Sequence, residues 1–165
     1  MPVARSFVTL IGFLSLIGPT SAKSEAVFKD WRVVCSEADT ANSCQMLQSR
    51  PATTGGDEIF LLSISKAAEA QNLSAVISVP LGVYLAPGVE IHLSGQRPFK
   101  VRYEICDQSS CHAGFQLKGA VLRSFKRGSE AKFRIWTAKS KAVEFPVSLQ
   151  GFTAGFADLS ARIAQ

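Results

Sequence analysis

Histidine is scarce in this 165-residue chain: only His92 and His112 occur, beside four cysteines. No C-x2-C or H-x3-H spacing links them, so a structural zinc centre has no ligand pattern to rest on. The lack of C-x-x-C removes the dithiol redox site. There is no G-x-S-x-G elbow for an activated serine, and no glycine-rich loop of the Walker or dinucleotide-binding kind. No spacing singles out a catalytic pair of carboxylates. Catalytic residues, metal ligands and a bound cofactor are therefore not expected. Internal repeats and low-complexity tracts are missing too, as is any apolar run long enough to cross a hydrocarbon core of ~30 Å.

The longest apolar stretch lies at the N-terminus. Arg5 is followed by Phe7–Ile17, broken only by Thr9, Gly12 and Ser15, and then by Gly18-Pro19-Thr20-Ser21-Ala22. A basic start, a short apolar centre and small residues before a cut describe a secretory signal peptide, too short for a transmembrane anchor. Residues 1–22 are expected to be removed after Ala22. Residues 23–165 then form a single exported domain with no membrane span.

Four cysteines in an exported chain favour disulfides over free thiols. Of the three pairings four cysteines allow, the short separations select Cys35–Cys44 and Cys106–Cys111, because each pair encloses a polar, turn-like segment flanked by strand-like residues. A hairpin brings its stems to about 5.5 Å, the reach of a disulfide.

The rest of the chain alternates. Phe28–Cys35 reads as a strand with Trp31, Val33 and Cys35 on one face, and Cys44–Ser49 as its hairpin partner. Glu58–Lys66 and Leu73–Val79 are apolar enough for central strands. Lys66–Asn72 has the composition of a helical turn, and Val83–Leu85 reads as a short extended piece between turns. Val89, Ile91 and Leu93 alternate with Glu90 and His92. Val101, Tyr103 and Ile105 do so with Lys100, Arg102 and Glu104, then Phe133 and Ile135, then Val143, Phe145 and Val147. Pro146 lacks an amide donor, which places the last strand at an edge or makes it irregular there. Two segments have helical period instead. Val121, Leu122 and Phe125 share a face of a short helix near 119–127 stopped by Gly128, and Phe152, Phe156, Leu159 and Ile163 form one stripe of a helix near 151–164, expected to dock on its own core. Many short strands without βαβ alternation specify an all-β antiparallel sandwich.

Charge is uneven. The chain carries +5, and loss of Arg5 leaves +4. Arg97–Lys141 holds eleven basic and three acidic residues, while the rest of the mature chain is net acidic. Lys100, Arg102, Lys118, Arg123, Lys126, Arg127, Lys132 and Arg134 are the candidate contacts to an anionic surface, lipid or polysaccharide; the plainer alternative is that they are solvated on strand faces. Nucleic acid is not an expected partner, since no stacking-aromatic motif accompanies these charges.

Phe28-x-Asp30-Trp31-x-Val33-x-Cys35 with Cys44, Val79-Pro80-Leu81-Gly82-Val83-x-Leu85-x-Pro87-Gly88-Val89, Tyr103-x-x-Cys106-x4-Cys111-x-Ala113 and Ser148-Leu149-x-Gly151-Phe152 occur in this order. Together they resemble the invasion-associated locus B family of exported bacterial proteins over nearly the whole mature chain. Ser94-Gly95 departs from the family, which often has an acidic residue before that glycine. The resemblance implies an immunoglobulin-like sandwich in the bacterial periplasm or outer envelope, with no established catalytic residues and a link to host-cell invasion in pathogens. The expected role is non-enzymatic binding of an envelope or host protein. The alternative is an envelope enzyme or inhibitor whose site residues meet only in three dimensions.

Overall fold

Alternation becomes strand wherever one set of side chains has an interior to enter. In β5 (Leu73–Pro80) the buried residues are Ala75, Ile77 and Val79, in β6 (Val89–Leu93) they are Val89, Ile91 and Leu93, and in β10 (Glu130–Ala138) they are Ala131, Phe133 and Ile135. The computed structural model describes residues 24–36, 44–51, 59–66 and 72–164. The expected signal segment, most of the first disulfide loop, the loop after Pro51 and the linker after Lys66 lie outside the described residues.

The remaining strands are β1 (Ser24–Phe28), β2 (Trp31–Cys35), β3 (Cys44–Pro51), β4 (Ile59–Lys66), β7 (Phe99–Val101), β8 (Tyr103–Cys106), β9 (Ser110–Gln116) and β11 (Lys141–Ser148). One antiparallel sheet has the order β1-β2-β3-β4-β5-β9-β8, the other β11-β10-β6-β7. Their apolar faces meet as an all-β sandwich, with five consecutive strands running as a meander. Helices α1 (Gly119–Arg127) and α2 (Phe152–Ile163) complete the fold where the 3.6-residue period placed them. β11 is an edge strand, where Pro146 costs no ladder hydrogen bond.

Two local expectations are corrected. Phe28–Cys35 is not one strand: Lys29 adopts φ 54°, and Phe28 pairs with Trp31 across a two-residue turn. The segment around Lys100–Cys106 is also two strands. β7 belongs to the small sheet and β8 to the large one, and the chain crosses between them at Arg102. Alternation survives the crossing because Val101 and Tyr103 both turn toward the interior from opposite walls, but a bulge then leaves Ile105 65% exposed. Val83–Leu85 is a short piece between two turns, as its sequence suggested, and its Tyr84 amide bonds the Trp136 carbonyl at 2.7 Å.

Both helices cover the same end of the sandwich. The stripe expected on α2 is docked, with Phe152, Leu159 and Ile163 buried. Trp31 meets Phe152 edge-on at 5.3 Å, Phe152 meets Phe125 of α1 at 5.1 Å, and Phe125 meets Phe115 of β9 at 6.1 Å. The Trp31 indole and the Gln48 amide both donate to the Ser148 carbonyl, each at 3.0 Å, which ties the two sheets together. Gly151 starts α2 with φ 86°, and a β-carbon there would run into the Phe28 carbonyl. Gly128 stops α1 as expected, but in an extended conformation. Its use is space, since a β-carbon would lie 2.9 Å from a Leu149 methyl.

Candidate functional site

The two disulfides form as the hairpin argument requires. Cys35 stands directly opposite Cys44 in the β2–β3 ladder, and Cys106 opposite Cys111 in β8–β9. The second bridge supports a polar turn. Asp107 Oδ1 accepts from the amides of Ser109 and Ser110 at 2.7 and 2.8 Å and from the Ser109 hydroxyl at 2.9 Å. Its Oδ2 meets His112 Nε2 at 3.0 Å, and His112 Nδ1 meets the Ser78 hydroxyl at 2.9 Å. A carboxylate only accepts, so Nε2 carries the proton, and in the neutral ring Nδ1 accepts from Ser78. The His112 hydrogen bond, with the Ser109 and Ser110 donors, holds the Asp107 carboxyl well below the ordinary carboxylate range. Ser78, His112 and Asp107 thus form a line that their sequence separation hid: Ser78 and His112 are cross-strand partners on the outer face of the large sheet.

The structure divides the expected basic contacts among several places. Lys100, Lys132 and Arg134 share the outer face of the small sheet, but acids stand among them. Glu90 lies 3.6 Å from Lys100 and 3.9 Å from Arg134, and Glu144 lies 3.7 Å from Lys132. The hydrogen bond from His92, 2.7 Å, is the main reason the Glu90 carboxyl sits below its usual value, and the neighbouring cations add to it against the opposing effect of burial. Lys100 and Arg134 also lie over the Trp136 ring, at 5.2 and 5.5 Å. Arg102 is exposed at the crossing between sheets, Lys118 caps α1, and Lys126 lies over the Phe156 ring at 4.8 Å.

Arg123 and Arg127 are placed differently. One turn apart on α1, they line a groove of about 330 Å3 between that helix and the Ser94-Gly95-Gln96 turn. The Gln96 amide fixes the turn to the helix, donating to the Ala120 carbonyl and the Ser124 hydroxyl, both at 2.6 Å. Neither arginine has an acidic partner among the described residues. Two unneutralised guanidinium groups flanking one groove suit a phosphate or carboxylate. Among the described residues, no group of three or more His, Cys, Asp or Glu side chains converges to hold a metal ion.

Sequence reasoning missed a second groove, at the end of the sandwich opposite the helices. It measures about 380 Å3 and is lined mainly by apolar side chains: Phe60 and Val79 from the large sheet, Ile135, Val143 and Phe145 from the small one, and the Pro80–Val83 segment across its opening. The signal was the exposed apolar residue Leu81 in a segment read only as turn punctuation. It is 49% exposed in the structure.

Known proteins resemble the chain in sequence pattern and in fold. The family model described as invasion associated locus B (IalB) protein matches residues 31–160. The crystal structure of invasion associated protein B from Bartonella henselae is similar with a TM-score of 0.71, covering 86% of this chain and 99% of that one at 16% sequence identity. Likeness at that identity is likeness of fold. No curated protein sequence matches the chain.

Proposed function

The chain belongs to the invasion associated locus B family, and from that premise we propose that it is an exported, non-enzymatic binding protein of the bacterial envelope that engages anionic lipid or polysaccharide surfaces. The observation that carries this reading is the pair Arg123 and Arg127, which flank one groove with no acidic partner among the described residues. Export rests on the signal-like segment ending at Ala22 and fits two disulfides, which persist in oxidising compartments. Among the described residues no helix is long and apolar enough to cross a membrane. The family resemblance extends the reading to contact with an envelope or host protein.

Binding of this kind is mostly electrostatic and is screened over a Debye length of ~8 Å at physiological salt. Purified protein should sediment with anionic liposomes or lipopolysaccharide at low salt and be released at high salt. The triple variant Arg123→Glu, Lys126→Glu, Arg127→Glu should lose that binding. Equal binding by both proteins, or binding indifferent to salt, would return these side chains to the role of solvated surface.

One observation favours a second reading. The line Ser78–His112–Asp107 has the connectivity of a base-activated serine, although Ser78 faces Nδ1 and the carboxylate Nε2. Covalent labelling of Ser78 by a fluorophosphonate, abolished by His112→Gln, would make the protein a hydrolase. An unlabelled Ser78 leaves the line as a clamp on the disulfide turn.

A further inference from the structure

The groove opposite the helices is lined mainly by apolar side chains. Its floor continues the core: Phe60 is 6% exposed and Val79 fully buried. Its wall on the small sheet is Ile135, Val143 and Phe145, and Leu81 hangs over the opening. At about 380 Å3 it lies within the ~300–1,000 Å3 range of small-molecule sites.

The polar groups around it are few, and all but one are engaged. Glu144 lies 3.7 Å from Lys132, and the Thr137 hydroxyl donates to the Lys141 carbonyl at 3.4 Å. A sugar or nucleotide would bury hydroxyls and amides there without partners, which is costly. Hydrocarbon would not. The remaining polar group is Arg50. β3 sends Cys44, Met46 and Gln48 to the buried face, and Arg50 follows in the same alternation, paired across the ladder with Phe60. Its guanidinium group therefore starts on the apolar side of the sheet, at the margin of the groove, with no acidic partner among the described residues. Arg50 is itself exposed, so its guanidinium is accessible at the opening to a carboxylate whose hydrocarbon lies along the apolar wall.

We propose that this groove binds a single-chain amphiphile with an anionic head, a fatty-acid-like ligand whose hydrocarbon lies between Phe60, Val79, Ile135 and Phe145 and whose carboxylate pairs with Arg50. The site is independent of the basic groove on α1 and stands or falls without it.

The test uses cis-parinaric acid, whose fluorescence rises when its chain leaves water, and its uncharged methyl ester. Wild-type protein should bind the acid saturably. Val143→Trp, which fills the groove from an edge strand, should weaken binding of acid and ester alike by about tenfold or more. Leu81→Asp, at an exposed position that does not threaten folding, should do the same by placing a carboxylate at the opening. Arg50→Gln should weaken the acid about tenfold and leave the ester unchanged, which separates the head-group contact from the apolar one. The variant carrying Arg123→Glu and Arg127→Glu should bind the acid as wild type does. Non-saturable uptake, or binding untouched by both Val143→Trp and Leu81→Asp, overturns the proposal. So does a concentration-dependent dimer that Leu81→Asp dissociates, because the groove would then hold a second copy of the chain.

Discussion

The two ends of the sandwich are built from the same strands and finished differently. At one end, α1 and α2 close over Trp31, Met46 and Phe115, and a line of aromatic contacts runs from buried Trp31 through Phe152 and Phe125 to partly buried Phe115. At the other, Phe60 packs on Phe133 and Phe145 at 5.2 and 4.5 Å, no helix among the described residues covers them, and the apolar faces separate into a groove. β3 shows the difference within one strand. Its inward positions pass from Met46 through the hydrogen-bonded Gln48 to Arg50, which has no acidic partner among the described residues. The comparison teaches that apolar burial is uneven along the sandwich: two helices close the core at the covered end, and the open end leaves apolar side chains lining a groove.

Truncation on each side should separate them most clearly. Trp31→Ala removes a fully buried ring, its edge contact with Phe152 and its bond to the Ser148 carbonyl. It should cost about 3–5 kcal/mol in urea unfolding. Phe145→Ala at the partly exposed open end should cost roughly half as much. Equal losses would erase the distinction.

The disulfides divide along the same axis, since Cys35–Cys44 lies toward the helices, near Arg162 of α2, and Cys111 pairs across the ladder with Val79 at the open end. Each closes a short loop, so replacing either pair by serine should cost about 2 kcal/mol and leave the domain folded at room temperature. Peptide mapping under non-reducing conditions should find no peptide joining the two halves of the chain.

The smallest expected effect is on pH dependence near the second bridge. The folded-state pKa of Asp107 is depressed, so its contribution is present above the ordinary carboxylate value and is lost as pH falls through the folded one. Unfolding followed from about pH 5 to pH 2 should therefore show a loss of stability in wild type that is reduced in Asp107→Asn. Identical pH profiles would mean that the turn does not depend on the charge.

Much of this could be read in advance because it is local. Two-residue alternation, a helical stripe and closely spaced cysteines each record their own geometry, and strands, helices and both bridges came out where those signals stood. The errors fell where one pattern fits two structures. A strand that turns sharply at Lys29, or crosses between sheets at Arg102, keeps its alternation, so the sequence carries no mark of the break.

The candidate sites were less legible for the same reason. Arg123 and Arg127 were identifiable as charges, but which cations lack an acid depends on where Glu90 and Glu144 fall in the folded sheet. Ser78 and His112 are 34 positions apart and meet only because β5 pairs with β9. By itself, the sequence determined the cross-links, the fold class and the docking face of α2, all of which depend on neighbours within a few residues. The tertiary structure alone decided that the helices cover one end and leave the other open, because that depends on how far two sheets of seven and four strands can cover each other.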